Sequence, residues 1–172
     1  MAETAVKYSH PYQIKFVNLS PNEDPSYGKE ENSGFDLRAW IKPEEGTQYP
    51  YNKEPKITLK PLERKLIHTG LYFDLPQGYE MQVRPRSGMA LKRGLGVLNS
   101  PGTIDSNYTG EIGIIAVNLS NENITIEHGE RIAQAVICPI ANSINGITLI
   151  KTEDLDKETE RGSQGFGASG TK

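Results

Sequence analysis

FDLRAWI, residues 35–41, alternates apolar Phe35, Leu37, Ala39 and Ile41 with Asp36, Arg38 and Trp40, the period-two pattern of a strand with one buried face and one wet face. Short runs of similar kind recur on both sides: YQIKFVN before it, then KITL, KLIHTGLYFDL, YEMQVRP, GVLN, EIGIIAVNL, ITI, RIAQAVICPI and ITLIK. Eleven prolines and seventeen glycines fall mostly between these runs, which predicts an all-β sandwich, jelly roll or closed barrel. Helix is scarce. SGMALKRG, from Ser87, is the one candidate, with the serine placed to cap one or two turns rich in Met, Ala and Leu. EEGTQYPYNKE, between Pro43 and Pro55, reads as a polar surface loop, and no internal repeat or long linker stands out.

A chain of 172 residues fits one domain and one core, without need of disulfides or structural metal. Its formal net charge of -3 argues against a general nucleic-acid coat, which needs a broad basic surface. Any bound anion must therefore meet local positive charge, and RPRSGMALKR is the densest such stretch, with Arg84, Arg86, Lys92 and Arg93. The single cysteine, Cys138, sits in the apolar run AVICPI and reads as a small buried hydrophobe. His10, His68 and His128 lack metal-ligand spacing. No apolar run approaches the roughly 20 residues that span a bilayer, and MAETAVKYSH lacks a secretory core. The expectation is a soluble intracellular, cytoplasmic protein with no membrane partner.

Chemistry concentrates in five polar segments. In NSGFDLRA, Asp36 near a strand start either orients an arginine or a metal-bound water, or caps a turn. In PRSG, Arg86, Ser87 and Gly88 at a helix start supply charge and N–H groups for an anion, with Ser87 as a plain N-cap the alternative. LNSPGTIDSNYTGEI places Asp105 and Tyr108 on what reads as a tight hairpin; Asp105 suits a general base with Ile104 keeping it partly dry, and the Tyr108 ring suits stacking on a sugar. In GERIAQAV, Arg131 and Gln134 punctuate an apolar strand, where buried polar groups need partners such as Asp36 or a phosphate. The tail RGSQGFGASG, Arg161 to Gly170, cannot form a core; its N–H groups, guanidinium, hydroxyls and lone Phe166 suit a flap over a nucleotide, or a frayed end.

Taken together, GFDLRA, PRSG, NSPGTIDSNYTGEI, GERIAQAV and RGSQGFGASG resemble the five ordered motifs of the trimeric dUTP pyrophosphatases, the dUTPases, over most of the chain from about Ser33 to Gly170. The resemblance implies a homotrimer of jelly-roll-like subunits that hydrolyses dUTP to dUMP and pyrophosphate with Mg2+, each active site drawing on all three subunits. Such an activity keeps uracil out of DNA and supplies dUMP for dTMP synthesis. It implies a β-domain over residues 1–158 and a C-terminal flap over 159–172. By motif position Asp105 matches the residue that activates water, and Tyr108 the one that stacks on deoxyribose. Asn99 matches a uracil contact, and Gly102, Thr103, Ile104, Glu111 and Ile112 match further substrate-binding positions. Arg86, Ser87, Gly88 and Gln134 match phosphate contacts, and Arg161, Phe166, Gly167 and Ser169 the closing flap. Asp36 matches a residue near the metal-bound waters and Arg131 a supporting one, with no protein group ligating Mg2+ directly. Departures from the common pattern are Asn107 for aspartate, Thr109 for arginine, Gln164 for glycine and Ala168 for serine.

Two rivals follow from the same scaffold. A dCTP deaminase places a glutamate in the strand after the hairpin, where this chain has Ile115. A non-catalytic nucleotide-sensing trimer is the other, against which Asp105 and the intact tail speak.

Overall fold

The structure, a computed structural model, describes residues 13–42, 55–142, 146–153 and 159–163. In chain order its elements are β1 (Lys15–Asn18), β2 (Phe35–Arg38), β3 (Lys56–Leu59), β4 (Arg64–Ile67), β5 (Leu71–Asp74) and β6 (Tyr79–Pro85). There follow α1 (Ser87–Arg93), β7 (Leu95–Val97), β8 (Gly102–Ile104), β9 (Ile114–Asn118), β10 (Ile124–Glu127) and β11 (Arg131–Pro139). The strands form sheets ordered β2-β11-β6-β8, β4-β9-β7, β1-β5 and β10-β3. Every pair is antiparallel. Most pairings join strands distant in sequence, the arrangement of a jelly roll. Among the described residues no helix is long and apolar enough to cross a membrane.

The alternation in residues 35–41 decides which face is inward. Phe35, Leu37, Ala39 and Ile41 are buried, while Asp36, Arg38 and Trp40 between them stay half-buried. They join Leu59, Ile67, Met81, Leu95, Ile114 and Ile126 in one core. Each such side chain contributes about 1.5–3 kcal/mol through removal from water.

Several expectations change. Helix α1 forms, but its N-cap is Arg86, in extended conformation and without a side-chain cap bond; Ser87 is already the first helical residue. The helix stops at Gly94, whose φ of 71° is left-handed and whose N–H returns to the Ala90 and Met89 carbonyls. The segment after β8 is not a hairpin. β8 pairs with β6 whereas β9 pairs with β4 and β7, so residues 105–113 cross between sheets. ITLIK lies in no strand, and Ile147, Leu149 and Ile150 are exposed. Cys138 is half-buried, with Arg84 Nη2 at 3.7 Å from its Sγ. The loop expected after Pro43 falls at 43–54, outside the described residues.

A local repeat is also present. VNLS occurs at 17–20 and again at 117–120, and both copies fold alike. Asn18 Oδ1 accepts from the Ser20 N–H and hydroxyl at 3.0 and 2.7 Å, and Asn118 Oδ1 from those of Ser120 at 2.9 and 2.8 Å. Leu19 N–H donates to the Gly70 carbonyl and Leu119 N–H to that of Gly94, each at 2.8 Å. A Cβ on Gly70 or Gly94 would come within 2.8 or 2.9 Å of the corresponding serine Cβ. Asn118 is fully buried and also donates to the Leu59 and Glu122 carbonyls.

Candidate active site

Asp36 on β2 is held by two guanidinium groups. Arg86 Nε lies 2.7 Å from Oδ1 and Arg131 Nη1 lies 3.2 Å from Oδ2. Arg86 Nη1 also donates to the Arg131 carbonyl at 3.0 Å. Gln134 Nε2 donates to the Pro85 carbonyl at 2.9 Å, fixing the turn from β6 into α1. These four residues, with Ser87 and Gly88, line one groove of about 740 Å3. Five cationic side chains line it, Arg38, Arg86, Lys92, Arg93 and Arg131, against the carboxylates of Glu23, Asp24 and Asp36. The groove is therefore positive in a protein whose net charge is -3. Arg38 and Arg93 each have a carboxylate of their own, Glu23 and Glu130, whereas Arg86 and Arg131 share the one carboxylate of Asp36, so this pair and Lys92 carry the surplus positive charge that can meet an anion.

A bulge assembles this cluster. In β11, Arg131 faces Arg38 and Ala133 faces Leu37, so one extra residue enters the strand between them. Ile132 and Ala133 both turn inward, at 2% and 0% exposure, and Arg131 and Gln134 both emerge on the outer face beside Asp36. In a regular strand two residues three apart point to opposite faces. Arg131, expected to be buried, is exposed.

The second set of expected residues lies elsewhere. In the sheet order β2-β11-β6-β8, Asp36 and β8 sit on opposite edges, three strand spacings or about 14 Å apart. Asn99, Asp105 and Tyr108 are exposed there. Within one chain Asp105 therefore lacks the partly dry surroundings expected of it. Tyr108 N–H donates to the Asp105 carbonyl at 3.0 Å, closing the turn. The Tyr108 hydroxyl donates to the Glu111 carbonyl at 3.0 Å, laying the ring over Gly110, where a Cβ would fall 2.5 Å from the phenol oxygen. Gly102 is buried, with room for a Cβ limited by Asn99 Nδ2 at 3.2 Å. Thr103 is exposed, Ile104 half-buried, and Ile112 sealed in the core at 1% exposure.

Glu111 faces inward toward the β4–β5 connection. Its carboxylate accepts the Gly70 N–H at 2.9 Å and contacts His68 Nδ1 at 2.9 Å. Burial pushes this carboxyl up, but the bonds from Gly70 and His68 and the charges of His68 and Lys42 outweigh it, leaving it below its ordinary value. The main chain here is engaged as well: the Glu111 carbonyl takes the Tyr108 hydroxyl, and the N–H and carbonyl of Ile112 are bonded to Leu71 and Thr69 inside the core, so the substrate contact implied for Ile112 has no free group there. The sequence signal for this contact was a lone histidine next to Thr-Gly, too common a pattern to read.

Arg161 is exposed, and Phe166, Gly167 and Ser169 lie outside the described residues. Among the described residues no three His, Cys, Asp or Glu side chains group to cage a metal. Both Asp36 oxygens are engaged by arginines, so a direct place in a Mg2+ shell would require breaking one of those pairs, while an ion carried on phosphate oxygens with its own waters would not.

Fold and site define an all-β, jelly-roll protein with an arginine-lined anion groove at the start of the short helix α1. Residues 20–170 match the dUTPase family model. The deoxyuridine 5'-triphosphate nucleotidohydrolase of Fusobacterium nucleatum is 48% identical over 158 residues, covering 92% of this chain and 97% of that protein. The enzyme of the same name from Aquifex aeolicus is 51% identical over 130 residues, covering 74% and 79%. Among solved structures, the Staphylococcus bacteriophage 80alpha dUTPase with dUPNHPP superposes with a TM-score of 0.75 at 26% identity, covering 93% of this chain and 99% of that one. The chain belongs to the dUTPase family.

Proposed function

We propose that the chain hydrolyses dUTP to dUMP and pyrophosphate, and that the observation carrying this reading is the Asp36 carboxylate presenting Arg86 and Arg131 beside Ser87 and Gly88. A triphosphate brings a charge of about −4, and such a charge is bound only where cations and N–H donors converge. At Gly88 an added Cβ would meet nothing within 4 Å. Nothing within the described chain demands glycine there, whereas a phosphate laid against the backbone would.

Asp105 is the base in this reading. Its carboxylate orients a water and takes its proton as the oxygen attacks the α-phosphorus; the bond from that phosphorus to its bridging oxygen breaks, and pyrophosphate leaves. Arg86 and Arg131 bind the charge that shifts onto the phosphates. Mg2+ carried by the phosphate oxygens would neutralise charge on the α-phosphate and the leaving group, with Asp36 facing it through waters. Tyr108 stacks on deoxyribose and leaves no space for a 2′-hydroxyl, while Asn99 and the main chain of 102–104 read uracil. Residues 159–172, through Arg161, Phe166, Gly167 and Ser169, serve as the lid that excludes bulk water.

A homotrimer with shared sites is part of the proposal. The phosphate residues and the turn bearing Asp105 occupy opposite sheet edges of one chain, and Asp105 is exposed until something covers it. Leu66, Leu98 and Leu119 stand 58%, 51% and 64% exposed on the outer face of the β4-β9-β7 sheet around Ile115 and Val117, an apolar surface suited to another copy. Ile115 lies opposite Leu66 on this face, so the position where a deaminase carries glutamate is apolar here, which disfavours that rival.

Pyrophosphate release from dUTP, dCTP, dTTP and UTP, each with and without Mg2+, tests the reading. Release from dUTP alone, dependent on Mg2+, is the expected outcome; silence on dUTP removes the proposal, and ammonia from dCTP replaces it with deamination.

A further inference from the structure

The turn bearing Asp105 and Tyr108 has no ladder of its own, since β8 and β9 belong to different sheets. Three attachments hold it. At its far end Ile112 N–H donates to the Leu71 carbonyl at 2.8 Å, and Thr69 Oγ1 donates to the Ile112 carbonyl at 2.6 Å, both inside the core. The Tyr108 hydroxyl donates to the Glu111 carbonyl. The Glu111 carboxylate bridges the Gly70 N–H and His68.

The Gly70 backbone is tied by its own carbonyl, which accepts the Leu19 N–H at 2.8 Å. Its φ is +73°, and a Cβ there would strike Trp40 at 2.7 Å and Ser20 at 2.8 Å, so the backbone is wedged in a conformation open to glycine. Glu111 thus links a rigid N–H to the carbonyl that receives the Tyr108 hydroxyl. Rotation of Glu111 would carry the phenol ring away from Gly110.

We propose that Glu111, braced by His68 and Gly70, is a positioning residue that fixes the Tyr108 ring and through it the preference for deoxyribose over ribose. This inference rests on the sugar-stacking role given to Tyr108 above. Glu111 touches no reacting atom; it acts through the turn. Burial of its carboxylate, 18% exposed, keeps the bridge from being diluted by water, while His68 at 44% lies near the surface.

The test compares His68→Ala, Glu111→Ala, Glu111→Gln and Tyr108→Ala in the full chain, with kcat and KM measured separately for dUTP and UTP alongside melting temperature. Glu111→Ala should lower the dUTP to UTP ratio of kcat/KM by about tenfold, the factor of one charge-assisted hydrogen bond. His68→Ala should lower it by roughly threefold, as one of two braces, with its melting temperature held. Glu111→Gln, which keeps an oxygen for the Gly70 N–H, should recover part of the ratio. If Tyr108→Ala lowers the ratio while His68→Ala and Glu111→Ala leave it alone, Glu111 is structural only and the proposal is overturned. An unchanged ratio in Tyr108→Ala removes the stacking role and this inference with it. Should Glu111→Ala fail to fold, the ratio in His68→Ala decides alone.

Discussion

Asp105→Asn isolates one carboxylate from everything else the turn does. Asp105 is exposed, and the turn is closed by its main-chain carbonyl, which accepts the Tyr108 N–H at 3.0 Å. Asparagine matches its shape and leaves that bond untouched, so stability should change by no more than about 0.5 kcal/mol. What disappears is the ability to take a proton from water. Loss of a positioned base costs roughly 10²- to 10⁴-fold in rate, about 2.7–5.4 kcal/mol of barrier at 1.36 kcal/mol per decade. Quenched-flow measurement of pyrophosphate release at saturating dUTP and Mg2+ reads the rate, and calorimetric titration with a non-hydrolysable imido analogue reads the affinity. Turnover within tenfold of the parent would remove Asp105 as base. Affinity falling as far as turnover would instead make it a binding residue.

Three further outcomes follow from the geometry. Asn118→Ala, which empties a fully buried site and strips the partner from the buried Leu59 carbonyl, should destabilise the fold by about 3 kcal/mol, and Asn18→Ala in the more exposed copy by about 1 kcal/mol; urea midpoints check both, and equal losses would contradict the burial argument. Glu111 has a folded-state value below 4.5, the value it takes when unfolded. Its contribution to stability is thus present above about pH 4.5 and lost as pH falls through the folded value, so the stability gap between the parent and Glu111→Gln should shrink between pH 6 and pH 3, on about the interval that carboxylates titrate. Leu66→Asp puts a charge on the apolar outer face and should shift light-scattering mass from trimer toward monomer, with activity lost in step; an unchanged mass would place the subunit contact elsewhere.

Residue type and local period carried the reading of strands. Phe35 to Ile41 show in the sequence which side chains point inward, because a strand's alternation is a property of successive residues. The same holds for the short helix and its arginine- and glycine-rich approach. The order of the five motifs was likewise legible, as was the pairing of Arg131 with Asp36, since a cation in a strand near an acid in another has few better partners.

Long-range hydrogen bonding decided what remained. Arg131 and Gln134 share a face only through the bulge opposite Leu37 and Arg38, and period two read along β11 alone sends them apart. Residues 102–118 look like a hairpin until β6 claims one arm and β4 and β7 the other. Motif position makes Glu111 a substrate contact, yet Gly70, forty-one residues away, draws its carboxylate inward. By itself the sequence determined the fold class, the inward faces and the kinds of chemistry present, because those depend on composition and neighbours. The tertiary structure alone decided which groups meet, because register and the direction of a side chain are set by partners that the chain reaches only after it has folded.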